Sequence, residues 1–421
     1  VISSGMVAVM TQNIGAGRPG VAYQARQLGL AFNAVLGIIL SLILAFGAGT
    51  ILAGVGVADA LMQPARTYLQ IVGGFCILNA LIPICSSYLR AFGFSKEPLY
   101  ASIIGNVINF CLNAFFLFVL HKGVAGVATA TVVSRIINLV IVVLLGAVLV
   151  KAKQHPERES NREVMGQIIR IGFPSACETA IYNVSMTLVI RFLNQMDAQG
   201  LNVTARSYTM QITNFSYCVG AALAQANAIM TGWHIGAKEY DACDRGTKKA
   251  AVIGVIVAVI LETVFTLCSG WIMQLFSKDP QMVSLVGKLL AIDIVLEIGR
   301  VTNLVYGQAL KTSGDAVFPV VMGACFMILC SVGGTYLFGI RLGLLAVGAY
   351  IGMAGDECVR AIGMYLAGKA ESGKKRDWLN PGSFVASAGT TWKNQSAGGN
   401  RKTDLAGGDC TLAVPSTVLI I

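Results

Sequence analysis

The sequence predicts an all-α polytopic membrane protein made of two pseudo-symmetric six-helix lobes, and three observations carry that expectation. Of its 421 residues, 55% are hydrophobic and 12% charged, with a mean hydropathy of +0.69. A soluble chain needs roughly a quarter of its residues charged to cover its surface. Second, residues 31–53, 136–150 and 250–261 carry no ionisable group. With their flanks these runs approach the roughly 20 residues that a membrane-spanning helix needs, and they are too long for buried strands. Third, two motifs recur 221 residues apart: Ile14-Gly15-Ala16 as Ile235-Gly236-Ala237, and Leu89-Arg90-Ala91-Phe92-Gly93 with Pro98 as Leu310-Lys311-Thr312-Ser313-Gly314 with Pro319. A looser match sets Gly123, Val127 and Ala130 against Gly343, Val347 and Tyr350 at a spacing of 220, as one deleted loop residue produces.

Taken in order, residues 1–12 are apolar but too short to cross alone, and they read as the end of a helix. The chain begins on Val, so the expectation is a fragment without its first helix and most of its second. No basic segment or cleavage-like site marks a signal peptide. Ten full spans follow near 24–50, 66–89, 99–120, 124–150, 168–193, 204–232, 248–273, 283–309, 318–340 and 343–367. Six helices separate each motif from its copy, and an even number gives both copies one orientation. Their symmetry axis then runs along the membrane normal, as in parallel-repeat transporters, with two lobes facing a cleft. The expected organisation is a partial amino-terminal lobe at 1–150 and a linker at 151–167, charged and interrupted by Pro156. A carboxyl-terminal lobe at 168–368 and a polar, Gly-rich, disordered tail at 369–421 complete it.

Lys and Arg fix the expected orientation, because cytoplasmic loops are enriched in both. One side collects fourteen, including Arg18, Lys96, Lys151, Lys153, Arg245 and Lys311, against six on the other. The linker and tail are therefore expected in the cytoplasm and the spans in the cell membrane. The net charge of +10 does not point to nucleic acid, since the basic residues never form a face interleaved with aromatics. The eleven cysteines are scattered without a CxxC pair, and His121, His155 and His234 lie far apart, so no metal centre is expected. Neither HExxH nor GxSxG occurs, which argues against an intramembrane hydrolase.

The loop "QNIGAGRPGVAYQ" at 12–24, "LRAFGFSKEP" at 89–98, "GFPSACE" at 172–178, "ALKTSGDAVFP" at 309–319 and "GDECVR" at 355–360 resemble the multidrug and toxic compound extrusion transporters. The order and spacing of these pieces carry the resemblance from residue 1 to about 368. It implies a cation-coupled antiporter with two six-helix lobes. It also implies a coupling Asp on a first helix that this chain does not show. One branch carries a coupling acid on the helix of residues 283–309. Aligned on Leu310-Lys311, that acid falls close to Arg300, with Glu297 as its neighbour, a departure from the branch's pattern.

An ionisable residue within a membrane is costly unless it is paired or used. Before Glu157 the only acids are Asp59 and Glu97, both at predicted helix ends. The second half supplies the candidate cation-coupling residues Glu178, Asp293 and Glu297. Glu178 follows Pro174 by one turn, and Pro174 is expected to open the helix there. Asp293 and Glu297 share a face at i and i+4, with Arg300 one turn on. The alternatives are an inter-helix hydrogen bond for Glu178 and a bracing pair of Glu297 with Arg300. Asp356, Glu357 and Arg360 form, with Arg300, a charge cluster whose i,i+4 pair fits structural bracing. Glu262, alone on its helix, reads equally well as interfacial. Tyr182, Asn183, Tyr208, Gln211, Asn214 and Asn303 are candidates to line a substrate cleft, aromatics being suited to lipophilic cations, although packing explains such residues too.

The expected function is export of organic cationic or amphipathic solutes in exchange for Na+ or H+, by alternating access of a monomer. Apart from the coupling ion no cofactor is expected; the partners are small-molecule solutes and the lipid bilayer. A lipid-linked saccharide flippase would share the architecture but needs a strongly basic cleft for phosphates. Only Arg135, Arg206, Arg300 and Arg360 fall within the spans.

Overall fold

The computed structural model describes residues 3–55, 59–150, 158–196 and 200–378. Of the tail expected to be disordered from 369, residues 369–378 instead continue the last helix; the rest of it and the first half of the linker lie outside the described residues. The described chain is helical, and its helices coincide with every span in the hydropathy reading. A short helix α1 (Ser3–Gly15) precedes α2 (Pro19–Val55). The next span is broken into α3 (Asp59–Tyr68), a π-helical turn at Leu69–Gly73, and α4 (Ile77–Ala91). Helices α5 (Lys96–Ala114), ending in a π turn at Phe115–Val119, and α6 (Gly123–Leu149) follow. The second half runs through α7 (Asn161–Met196), α8 (Leu201–Gly236), α9 (Tyr240–Leu267), the five-residue α10 (Ser269–Met273) and α11 (Pro280–Thr312). It closes with α12 (Val317–Phe326), which continues through π turns to Arg341, and α13 (Leu345–Trp378).

Among the described residues, five helices are long and apolar enough to cross a membrane, and a sixth counts if the pair Leu61–Gly73 and Ile77–Ala91, bent by 41°, is one span. The other spans are α7, α8, α11 and α13. They are long enough, at 33 to 36 residues, and fall short only in composition. Their ionisable and amide residues are the reason, and these helices meet one another in the interior, where such groups find partners. The apolar spans instead turn Phe46, Phe110, Phe118 and Leu267 outward. On a soluble protein that would be an aggregating surface; in lipid it costs nothing.

Two of the larger buried clusters lie within the second half of the sequence, and the third ties the first half to the start of α7. One joins Met6, Met10, Ile84, Tyr88 and Leu89 to Val164 and Ile168. Two others lie wholly within residues 189–364, around Leu289 and Leu296 and around Val301 and Tyr306. Helix α7 begins at Asn161, so it takes in the second half of the stretch assigned to the linker. Its start is tied to α2: Gln24 Nε2 donates to the Glu159 carbonyl at 2.8 Å and to Asn161 Oδ1 at 2.5 Å, and Arg18 pairs with Glu159. Pro174 does not break α7, which stays helical through it. Asp279 caps α11 by accepting from the Gln281 amide at 2.9 Å, with Pro280 at the first helical position.

The repeat appears as matched backbone geometry. Gly93 and Gly314, 221 residues apart, both adopt positive φ (88° and 105°) after the helix that carries the motif, and Gly17 (73°) is matched by Lys238 (61°). The copies also contact each other reciprocally. Gln12 Nε2 donates to the Thr312 carbonyl at 2.5 Å, and Trp233 Nε1 donates to the Ala91 carbonyl at 3.0 Å. Each bond becomes the other when 221 is added to or subtracted from its residues, as a two-fold contact requires. Between them α1 and α8 approach so closely that a Cβ at Gly15 would overlap the Trp233 carbonyl oxygen, and one at Gly236 would overlap that of Gln12.

Helices α11 and α13 also meet at a glycine. A Cβ at Gly299 would stand 2.7 Å from the Cys358 amide nitrogen and 2.7 Å from the Glu357 carbonyl carbon, both backbone atoms. Gly299→Ala is expected to lower stability by about 1–3 kcal/mol, the usual cost of overpacking, read as a lower thermal midpoint in detergent. An unchanged midpoint would mean that α13 is free to move away.

Candidate functional site: a buried carboxylate cluster beside a cavity

Two helices bring three acids to one point. Glu262 of α9 and Asp293 and Glu297 of α11 each offer an oxygen within 4.8 Å of the others, and all three residues are buried. On α11 the i,i+4 spacing puts Asp293 and Glu297 on one face. Glu262 comes from the middle of the apolar run of α9 and is fully buried, not interfacial. Among the described residues neither of its oxygens has a hydrogen-bond partner, nor do Asp293 Oδ2 and Glu297 Oε2, while the buried Ser216 of α8 lies beside Glu262. Arg300 pairs with Glu297 alone of the three. Adjacent carboxylates in low dielectric repel strongly. The donor set is three hard oxygens, suited to a proton or to a hard cation such as sodium and unsuited to soft metals.

A second charged group lies next to this one. Arg360 holds Asp356 in a two-pronged pair, Nε to Oδ1 at 2.9 Å and Nη2 to Oδ2 at 3.0 Å, and reaches Glu357 Oε1 at 2.8 Å. Ser331 donates to Asp356 Oδ2 at 2.9 Å, and Arg300 Nε stands 3.9 Å from Glu357 Oε1. Arg300 therefore bridges the two groups, and its guanidinium also lies 5.8 Å from the Tyr217 ring centre. A cavity of about 280 Å³ opens beside them, lined by Asp293, Arg300, Asp356 and Glu357 together with Tyr182, Asn214, Tyr217, Arg206 and the methionines 186, 210 and 353.

The structure separates several residues that the sequence grouped. Glu178 is not part of the carboxylate cluster: its Oε2 pairs with Lys311 Nζ at 2.5 Å, tying α7 to the end of α11. Of the six cleft candidates, Tyr182 and Asn214 line the cavity. Asn303 is buried and donates to Glu357 Oε2 at 3.0 Å, which makes it a support of the charge cluster. Asn183 donates to the Thr179 carbonyl of its own helix, Tyr208 packs against Phe276 with ring centres 5.4 Å apart, and Gln211 points outward; none of the three lines the cavity. Glu262 is the residue that sequence reasoning left open between a membrane-embedded and an interfacial place. The signal was present, since Glu262 is the one acid in the apolar stretch of α9 from Ala250 to Leu267, where a carboxylate is costly unless used.

Comparison with known proteins bears on what this arrangement serves. A family model described as MatE matches residues 1–115 and 174–337. The chain is 31% identical over 387 residues to the uncharacterized transporter YisQ of Bacillus subtilis, spanning 90% of this chain and 84% of that protein. It is 24% identical over 343 residues to the probable multidrug resistance protein NorM of Streptococcus pneumoniae, spanning 76% of this chain and 72% of that one. A crystal structure of MATE in the straight conformation superimposes with a TM-score of 0.78 over 89% of this chain and 84% of its own, at 18% identity, a likeness of fold.

Proposed function

The chain belongs to the MatE family of multi-pass membrane transporters, and from that premise we propose that it exports organic cationic or amphipathic solutes in exchange for Na+ or H+. The observation that carries the exchange is the buried triad Glu262, Asp293 and Glu297 at the edge of a solute-sized cavity. Asp293 belongs to both. A coupling ion held by the triad and a cationic group in the cavity compete for it, and each occupancy favours a different arrangement of the lobes. The chain's own residues hold the ion in place: Glu262 from α9 and Asp293 and Glu297 from α11, with Arg300 fixing Glu297 and Asn303 and Arg360 fixing Glu357. On this reading the protein acts as a transporter rather than an enzyme, as a monomer in the cell membrane.

The close approach of α1 and α8 lies on the side that collects the basic loops. By the charge bias of such loops that side is cytoplasmic, so this is the state closed to the cytoplasm. The linker and tail belong on the same side. A flippase is disfavoured by the cavity, where Asp293, Asp356 and Glu357 outnumber Arg206 and Arg300.

The test is uptake of a fluorescent lipophilic cation into proteoliposomes under an imposed Na+ or proton gradient. Accumulation against the cation's own gradient, abolished by collapsing the ion gradient, is the expected result. Uptake that only equilibrates, whichever gradient is imposed, would count against coupling.

A further inference from the structure

The repeat fills one lobe at a place where it leaves the other hollow. In the amino-terminal lobe Arg26, near the start of α2, lays its guanidinium 4.4 Å from the Tyr88 ring centre and 5.7 Å from that of Tyr23, beside Cys85. Phe92 packs on Tyr88 with ring centres 5.1 Å apart. The chain thus supplies its own cation to a set of aromatic faces. Adding 221 to these positions gives Asp244 for Tyr23, Thr247 for Arg26, Tyr306 for Cys85, Ala309 for Tyr88 and Ser313 for Phe92. All five line a single cavity of about 80 Å³ at the start of α9, which shares no described residue with the cavity beside the triad. Small side chains have taken the place of the guanidinium and two rings, and a carboxylate has taken the place of a third.

What remains suits a cation. Asp241 and Asp244 share a face of α9 at i and i+3; Asp241 is exposed, and Lys248 pairs with Asp244 at 2.7 Å. Thr231 of α8 and Thr247 lie deeper, 2% and 5% exposed. Among the described residues Thr231 Oγ1 and the Tyr240 hydroxyl, both of which line the cavity, have no hydrogen-bond partner. Such a buried oxygen is costly to leave unmet. The Tyr306 ring stands in the wall, braced edge-on by Tyr365 at 5.5 Å. No Lys or Arg is among the described lining residues. Carboxylates, hydroxyl oxygens and an aromatic face are the groups that a planar, multiply donating guanidinium engages together.

We infer that this pocket binds a guanidinium cation from solution, which fills in the carboxyl-terminal lobe the place that Arg26 fills in the amino-terminal one. The pocket adjoins the contact between the two copies of the repeat. Ser313 follows Thr312, whose carbonyl accepts from Gln12, and Thr231 precedes Gly232, which packs against Thr11. A bound cation therefore ties α8, α9 and α11 together at the edge of that contact.

Cys243 lines the pocket and reports its occupancy. In the purified full chain with the other ten cysteines replaced by Ala, the rate of Cys243 modification by a small uncharged methanethiosulfonate is measured against guanidinium chloride below denaturing concentration. Urea, the uncharged planar analogue, is the control. Half-protection is expected at an at least about tenfold lower concentration of guanidinium than of urea, the scale of one hydrogen bond to a charged group. The double change Asp241→Asn, Asp244→Asn is expected to erase that difference with the thermal midpoint held, since Asp241 is exposed and the pair with Lys248 lies at the surface. Thr247→Arg, which restores the arginine of the other lobe, is expected to protect Cys243 without ligand. Equal protection by guanidinium and urea, or a difference that survives the double change, would overturn the inference. So would a folded Thr247→Arg protein that keeps the full guanidinium response. Residues after Gly368 include Lys374, Lys375 and Arg376, a second source of the same chemistry. Cys243 protected without ligand, and released when these three are replaced by Gln, would assign the pocket to the chain's own cations and overturn binding of one from solution.

Discussion

Gly236→Ala is expected to hold the transporter open to the cytoplasm and to stop solute export. The added methyl group overlaps the Gln12 carbonyl oxygen and stands 2.7 Å from the Ala16 amide nitrogen, both backbone atoms that cannot swing aside. An overpacking cost of about 1–3 kcal/mol shifts a two-state equilibrium by roughly 5- to 150-fold against the closed state. Gly15→Ala is expected to do the same, because it meets the Trp233 carbonyl from the other half of the repeat. The readout is labelling of Thr11→Cys by an impermeant maleimide, in a chain whose native cysteines have been replaced. Thr11 is fully buried next to Gly232, so it is protected when the lobes close and exposed when they part. Wild-type transport by Gly236→Ala with Thr11→Cys still protected would show that this contact is not the gate.

The second large effect concerns the acids. Replacing Glu262 by Gln and Asp293 by Asn removes two buried carboxylates that make no ion pair among the described residues, while Glu297 keeps Arg300. Uphill transport is expected to fall by tenfold or more, with passive equilibration of solute retained. Stability is expected to hold or rise, because uncompensated buried charges are lost. That combination separates a functional site from a bracing one. A bracing pair, such as Arg360 with Asp356, loses about 3–5 kcal/mol when one member is removed, since the other is left buried and alone. A lower thermal midpoint with gradient-driven transport intact would assign the triad to structure.

Most of the helical architecture was legible in the sequence because a bilayer imposes length and apolarity on each span. The repeat was legible because Gly93 and Gly314 repeat a backbone conformation that favours glycine. The breaks into π turns at Leu69–Gly73 and Met327–Val332 were not, since no proline lies within either turn. Of the candidate site, the pairing of Asp293 with Glu297 followed from their spacing on one helix. What joins separate helices did not. The partner of Glu178 is Lys311, 133 residues away, and Glu262 meets its companions only through the packing of α9 on α11. Helix phase was equally hidden: Gln211 and Asn214 lie one turn apart on α8, yet Asn214 alone of the two faces the cavity. Spacing fixes which residues share a face, and the neighbouring helix decides which face is inside.

Competition between ion and solute for one buried carboxylate group is the centre of this account. The measurement that tests it most directly is ion release from the purified protein on addition of solute, followed with a pH indicator in weak buffer and with radioactive sodium. The account predicts that solute binding displaces protons or sodium in near-stoichiometric amount, and that the Glu262→Gln, Asp293→Asn protein binds solute without releasing either. Solute binding that releases no ion from the wild-type protein, or undiminished release from the double variant, would contradict it.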